Sequence, residues 1–334
     1  MKTISTLGTL LESFFGRYLV SQRRATRATL LSYRDSLRLF LQYVASRTGK
    51  PPCELGVSEL DRDVVLAFLD DLENTRRNTA CTRNVRLTAL RSFFRHVSDN
   101  DPTSLGVAQR VLGIQGKRTV RKAVNYLTRD ELTALLEAPD RATPRGRRDH
   151  ALILFLARTG ARISEALGVN AADLHLSGPR QVLLRGKRGK ERSVPLAVDL
   201  AETLTLLYHE RQLAPGEKSP VFVNAKGNRL TRFGGTHILR RAVARSGLTR
   251  GGVCGRKISP HGLRHTLAMH LLQSGVDVIT IQAWLGHAQV TTTHRYAEAD
   301  VEMMRKSLEQ SGVSPVRLSL FKPPDSVMSL LAEI

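Results

Sequence analysis

The sequence predicts a mainly α-helical protein with one small β-sheet, built as two domains. Apolar residues recur at helical spacing through most of the chain. One stretch, residues 181–196, reads instead as two strands about a tight turn. The third observation is length: 334 residues exceed one ordinary domain, and the helical period lapses around residues 105–125.

The elements follow in order. The opening stretch MKTISTLGTLLESFFGRYLV breaks up its apolar residues with polar and charged ones, which predicts an amphipathic helix and not a signal peptide. Leu37, Phe40, Leu41 and Val44 fall at i, i+3, i+4 and i+7, and Val65, Phe68, Leu69 and Leu72 repeat that spacing. Each set is one apolar stripe along a helix. A third helix carries Leu87, Leu90, Phe94 and Val97 on one side, together with Arg83, Arg86, Arg91 and Arg95. A basic helix face of this kind either lies along a duplex groove or is an ordinary solvated face. Residues 1–112 are therefore expected to form a helical domain, and the Gly-containing, basic segment 113–124 a linker.

The second domain is expected over 125–310, with a tail at 311–334. Thr128 followed by Glu131 predicts a capping box. The long helix RRDHALILFLAR stops at Gly160, and a short helix begins near Ile163. After the hairpin come helices at about 198–213, 234–246, 260–274 and 277–285.

Charge narrows the partner. The chain has 51 Lys+Arg against 30 Asp+Glu, a net charge of +21. Arg outnumbers Lys 40 to 11, and its planar fork matches phosphate oxygens two at a time. Residues 1–118 carry +8 and residues 151–334 carry +11, so the charge is not a tail and both halves are expected to touch a polyanion. An Arg-rich composition alone would not require the acidic deficit. Nucleic acid is the favoured partner. No run approaches a membrane span. The cysteines, Cys53, Cys81 and Cys254, are odd in number and far apart, which argues against a disulfide framework or a cysteine zinc site.

Four segments can carry chemistry: TGARISEALGV with Arg162, RGKRGKERSVPL with Lys187, SPHGLRHTLAMHLL with His261 and Arg264, and WLGHAQVTTTHRY with His287 and Tyr296. Taken singly, each has a plain reading. Arg162 beside Glu165 suggests a structural ion pair, and Lys187 a solvated turn residue. His261 and His265 lie at i, i+4, but the Glu of HExxH is absent, so no metal is expected. Ser259 can cap the third segment's helix, Pro260 suits its first turn, and His261 and Arg264 then face the same way. Taken together, two Arg, two His, a Lys and a Tyr suit attack on a phosphodiester without metal. A Tyr phenol has a pKa of about 10 and needs activation. Arg forks and His N–H groups can hold the charge of a phosphoryl transition state, and a Lys can protonate the leaving oxygen.

In this order the residues Arg162, Lys187, His261, Arg264, His287 and Tyr296 resemble the tyrosine recombinase/integrase family, in its Xer-like, two-domain subgroup. The likeness runs over about residues 5–300 and is strongest from 150 to 297. It implies an all-helical, SAM-like core-binding domain followed by an α+β catalytic domain. It implies that Arg162 and Arg264 clamp the scissile phosphate and that Lys187 protonates the leaving 5′ hydroxyl. His261 would take the nucleophile's proton, His287 would bond the phosphate, and Tyr296 would form a 3′-phosphotyrosyl link. It implies double-stranded DNA with a specific recombination site, a homotetramer on synapsed DNA that is monomeric or weakly associated when free, and a Holliday junction intermediate. Neither cofactor nor ATP is implied; accessory recombinases or DNA-bending proteins are compatible with it.

Around that set, Arg188 and Lys190 in the hairpin and Arg250, Arg256 and Lys257 in the Gly-rich loop TRGGVCGRK are candidate phosphate contacts. The tail FKPPDSVMSLLAEI predicts an apolar terminal helix that buries on its own subunit or on a neighbour. The expected role is integration, excision or transposition of a mobile element, in the bacterial cytoplasm at the nucleoid. The alternatives are an Xer-type chromosome or plasmid dimer resolvase, a type IB topoisomerase, and a non-catalytic DNA-binding protein.

Overall fold

A computed structural model describes residues 6–119, 126–186, 189–214, 216–248 and 258–286. The chain divides into two compact units, Met1–Lys122 and Ala123–Ile334. Among the described residues, no helix is long and apolar enough to cross a membrane.

The first unit is helical throughout. Thr6 caps α1 (Leu7–Ser13), which continues as a π-helical stretch, Phe14–Gln22. Thr26 caps α2 (Arg27–Thr48), and Gly49 ends it at φ 71°. Asp61 caps α3 (Arg62–Asn74), and Thr79 caps α4 (Ala80–Asn100). In each of these caps the side-chain oxygen accepts an N–H that the helix itself cannot satisfy. The predicted stripes become the core: Leu37, Phe40, Val44, Val65, Phe68, Leu69, Leu72, Leu87, Leu90, Phe94 and Val97 are all buried, and Leu41 is partly buried. Phe14 is buried in the same core, edge-on to Phe93 at 5.5 Å between ring centroids. A fifth helix, α5 (Leu105–Leu112), falls where the periodicity lapses. It buries Ala108 and Val111, with Val107 partly buried, a helical spacing in a run of only eight residues. Beyond it, Asn84 on α4 pins the chain at Lys117, donating to the Lys117 carbonyl at 2.8 Å and accepting its N–H at 3.0 Å.

The second unit starts with α6 (Arg129–Glu137), opened by the Thr128–Glu131 capping box. Next, α7 (Pro144–Thr159) is buried almost all round from Asp149 to Ala157, as the central helix of a layered core must be. Gly160, at φ 62°, stops it, and α8 (Ile163–Gly168) follows. The antiparallel sheet has three strands in the order β1 (Leu174–His175), β2 (Gln181–Arg185) and β3 (Glu191–Pro195). The hairpin β2–β3 is the predicted one, in a register that sets Leu184 opposite Arg192. The two-residue β1 is too short to predict. The remaining helices among the described residues are α9 (Val198–Arg211), α10 (Arg232–Arg245), α11 (Pro260–Gln273) and α12 (Val278–Leu285). Ile281 and Leu285 of α12 pack on Ala268, Met269 and Leu272 of α11.

Candidate catalytic site

Three chain turns build the site. Gly160 stops α7 in the left-handed region, where glycine carries no Cβ penalty. A Cβ there would come within 2.6 Å of a Leu285 methyl carbon, so the turn is also a close approach between α7 and α12. Two residues on, Arg162 stands at the N-cap of α8. Gly286 ends α12 at φ 65° in the same way. Ser259 opens α11 by accepting the Gly262 N–H, with Pro260 in the first turn. That places His261 and Arg264 one turn apart on α11.

Arg264 is 1% exposed, the largest fully buried side chain described. Its Nη1 donates to the Gly160 carbonyl at 2.7 Å, and its Nη2 donates to the Leu285 carbonyl. One guanidinium thus joins the C-termini of α7 and α12, where carbonyls lack helical partners and a cation is favoured. His261 packs edge-to-face against His265, with 4.2 Å between ring centroids.

Glu165 lies beneath Arg162 and is buried. Its Oε1 accepts from Arg162 Nη1 at 2.6 Å and its Oε2 from the Arg162 N–H at 2.9 Å. Oε2 also accepts from Arg192 Nη2 at 2.8 Å. Burial alone would raise this carboxyl, but the bonds from Arg192 and Arg162 outweigh it and hold it below the usual carboxylate range. The ion pair expected of Arg162 and Glu165 exists, and it includes a third member, Arg192, that the sequence reading did not single out. Strand alternation was the available signal: Arg192 falls on the same face of β3 as the buried Val194.

Other expected contacts sort differently. Lys187, Arg188, Arg250, Arg256, Lys257, His287 and Tyr296 lie outside the described residues. Lys190 is exposed at the hairpin, its carbonyl accepting the Gly186 N–H at 2.7 Å. On α4, Arg95 is exposed and Arg91 half-buried. Arg86 is half-buried, with Nη1 donating to Ser36 Oγ at 3.3 Å. The expectation that Arg83 faces DNA is corrected. It is 3% exposed, with Nε 3.3 Å from Glu73, so its charge is spent inside the unit.

The comparisons with known proteins bear on this arrangement. Residues 125–303 match the phage integrase family, and residues 11–99 match the phage integrase N-terminal SAM-like domain. The chain belongs to the phage integrase family. It is a tyrosine recombinase with a SAM-like domain followed by a catalytic domain. Tyrosine recombinase XerC of Rhodospirillum centenum is 35% identical to it, over 86% of this chain and 82% of its own length. A Sinorhizobium fredii protein, y4rD, whose integrase/recombinase name is provisional, is 54% identical over 81% of this chain and 96% of its own. Among solved structures, the post-cleavage complex of the XerH site-specific recombinase with its difH substrate aligns with a TM-score of 0.70 at 25% identity. It covers 86% of this chain and 81% of that one.

Within the recombinase, a cavity of about 910 Å³ is lined by Arg148, Leu207, Val223, Leu230 and Ile238, among others; Arg162, His261 and Arg264 are not among its lining residues. His150 and His270 brace the catalytic domain: His150 Nδ1 bonds the Leu136 carbonyl at 2.8 Å, and His270 Nε2 bonds the Leu127 carbonyl at 2.9 Å. Burial lowers the pKa of both. The unfolded chain takes up those protons first as pH falls below about 6.5. Fold stability is therefore expected to hold above that value and to decline toward pH 5. Denaturant midpoints at pH 7.5 and 5.5 check this, and His150→Gln with His270→Gln should flatten the difference.

Proposed function

We propose that this recombinase cuts and rejoins DNA at a specific site through a 3′-phosphotyrosyl intermediate and a Holliday junction, using neither metal nor ATP. The observation that carries the reading is the joining of Arg162 and Arg264 through one turn, since Arg264 bonds the carbonyl two residues before Arg162. Two guanidinium groups so linked suit a clamp on one phosphodiester. Arg162 and Arg264 hold the scissile phosphate, His261 takes the phenol proton, and Tyr296 attacks phosphorus. Lys187 gives the leaving 5′ oxygen its proton, and His287 bonds the phosphate. Rejoining is the reverse, and the phosphotyrosyl link keeps the bond energy needed for it. The test is covalent trapping: nicked DNA from the flanks of the recombinase's own gene, incubated in EDTA, should yield an SDS-resistant protein–DNA adduct. Salt-sensitive binding without any adduct at the bound site would overturn the reading.

Arg86, Arg91 and Arg95 on α4, with Arg188, Lys190, Arg250, Arg256 and Lys257, are proposed phosphate contacts. Changing Arg91 and Arg95 together to Gln is expected to weaken binding to all sequences alike. It should also flatten the dependence of log affinity on log salt by about 0.9 per lost contact. Arg83→Gln should leave that slope unchanged.

The active form is proposed to be a tetramer on two synapsed duplexes, with the segment 311–334 docking on a neighbouring subunit. Deleting 319–334 is expected to reduce assembly, read by sedimentation with and without DNA, and to leave monomer binding intact. Loss of the fold would instead mean that the tail packs on its own subunit. The proposed role is movement of a mobile element; the likeness to XerC favours dimer resolution as the second reading. Excision of a flanked marker against resolution of a two-site plasmid dimer distinguishes them.

A further inference from the structure

We propose that Arg192 is a positioning residue that holds the hairpin carrying Lys187 in register with the turn leading to His287. Its guanidinium spans two structures. Nη2 donates to Glu165, and Nε donates to the Trp284 carbonyl at 3.0 Å, one of the last carbonyls of α12. Arg264 takes the next carbonyl, Leu285, so two cations from different elements hold the end of this helix.

The stem of Arg192 runs close under Gly286. A Cβ on Gly286 would lie 3.0 Å from Arg192 Cδ and 3.2 Å from its Nη1. The glycine therefore serves both its left-handed turn and the passage of this arginine, immediately before His287. On the hairpin side, Arg192 pairs with Leu184 across the ladder. Arg185 Nε bonds Glu191 at 3.0 Å, and Gly186 closes the loop by donating to the Lys190 carbonyl. Gly186 also approaches Glu165, whose Oε1 would lie 3.4 Å from a Cβ placed there. Both ends of the loop that contains Lys187 are thus referred to Glu165 and Arg192. The side chain of Arg192 is only 14% exposed, so its bonds are shielded from competing water.

Geometry explains the residue type. A carboxylate and a carbonyl in different directions must be met at once, which a planar fork does and a point ammonium does not.

The proposal rests on the reading of Lys187 as proton donor. In the cleavage step the Tyr296 oxygen bonds phosphorus, the P–O5′ bond breaks, and the 5′ oxygen receives the Lys187 proton. A 5′ sulfur at the same bond leaves as a thiolate, a far weaker base than an alkoxide (a cysteine thiol titrates near about 8.5), and needs no donor. A residue that acts by positioning the donor is therefore exposed by its leaving group, whereas a residue that only supports the fold is not.

The experiment is single-turnover cleavage of two matched DNA substrates, one with a 5′-bridging oxygen and one with a 5′-bridging sulfur. The enzymes are wild type, Arg192→Gln, Arg192→Lys and Lys187→Met, each with its melting curve. General acid catalysis is worth about 10²–10⁴-fold. Both Arg192 variants are expected to lose about 10²-fold on oxygen DNA and to return to within a few-fold of wild type on sulfur DNA. Equal losses on the two substrates, or no loss on either, would overturn the proposal. If sulfur relieves Lys187→Met but not Arg192→Gln or Arg192→Lys, the relay fails and the Lys187 reading stands. If sulfur does not relieve Lys187→Met, that reading fails and the relay with it. Arg192→Lys, which keeps the charge and most of the stem, covers the case in which Arg192→Gln does not fold.

Discussion

Tyr296→Phe is expected to bind DNA with wild-type affinity and to form no covalent adduct. The substitution removes one hydroxyl oxygen and keeps the ring, so the proposed phosphate contacts from Arg and Lys would remain while the proposed nucleophile is gone. Affinity is carried by counterion release, to which a neutral phenol adds nothing. Attack, in contrast, requires that oxygen, and no nearby water can replace it in forming a protein-linked product. Adduct yield should fall to background in an SDS-gel assay, and filter-binding or anisotropy curves should superimpose on those of the wild type. An adduct that survives in Tyr296→Phe moves the nucleophile to another residue and dissolves the role assigned to WLGHAQVTTTHRY.

Glu165→Ala is expected to destabilise the catalytic domain by about 3–5 kcal/mol, the cost of breaking a buried ion pair by removing one partner. The carboxylate is 3% exposed and satisfies Arg162 Nη1, the Arg162 N–H and Arg192 Nη2 together. Its loss leaves the Arg192 charge enclosed and the first turn of α8 uncapped. Chemical denaturation measures the difference, and a change below about 1 kcal/mol would show that the pair behaves like an exposed one. The pH dependence follows from the lowered carboxyl pKa. The contribution of Glu165 is present above about 4.5 and is lost as pH falls through the depressed folded-state value. Glu165→Ala should therefore show a smaller loss of stability than wild type between pH 5 and pH 3.

Much of this architecture is legible before any coordinates, because it is written in periodicity. The stripes on α2, α3 and α4 point where the residue spacing says they must, since a helix that buries one face has no other way to repeat. The turns at Gly160 and Gly286 are legible because glycine stands where a helix has to stop, and Ser259 and the Thr128–Glu131 pair are legible as starts. Arg83 is misread for a physical reason. Periodicity locates apolar groups, and a basic residue between stripes is assumed to be solvated; Glu73 on a different helix is what draws it inward. Helix α5 is amphipathic but only eight residues long, and strand β1 has two, so neither stands out along the chain. Arg192 looks like one more hairpin cation until the fold brings it to Glu165 and the end of α12. Ion pairs between elements distant in sequence depend on tertiary placement, which local spacing does not encode.

The pin between Asn84 and Lys117 has a consequence for the connection between the units. Lys117 is held in the first unit by Asn84, and Leu127 in the second, its N–H bonding Thr266 Oγ1 at 3.0 Å. The sequence distance between them allows a span of at most about 35 Å. On the proposed reading, in which both units grip one duplex, so short a tether would keep the second at a high local concentration once the first is bound. Two modest grips would then act as one strong one. Lengthening the tether with Gly-Ser repeats would dilute that advantage gradually, as roughly the −3/2 power of its length, while leaving each grip unchanged.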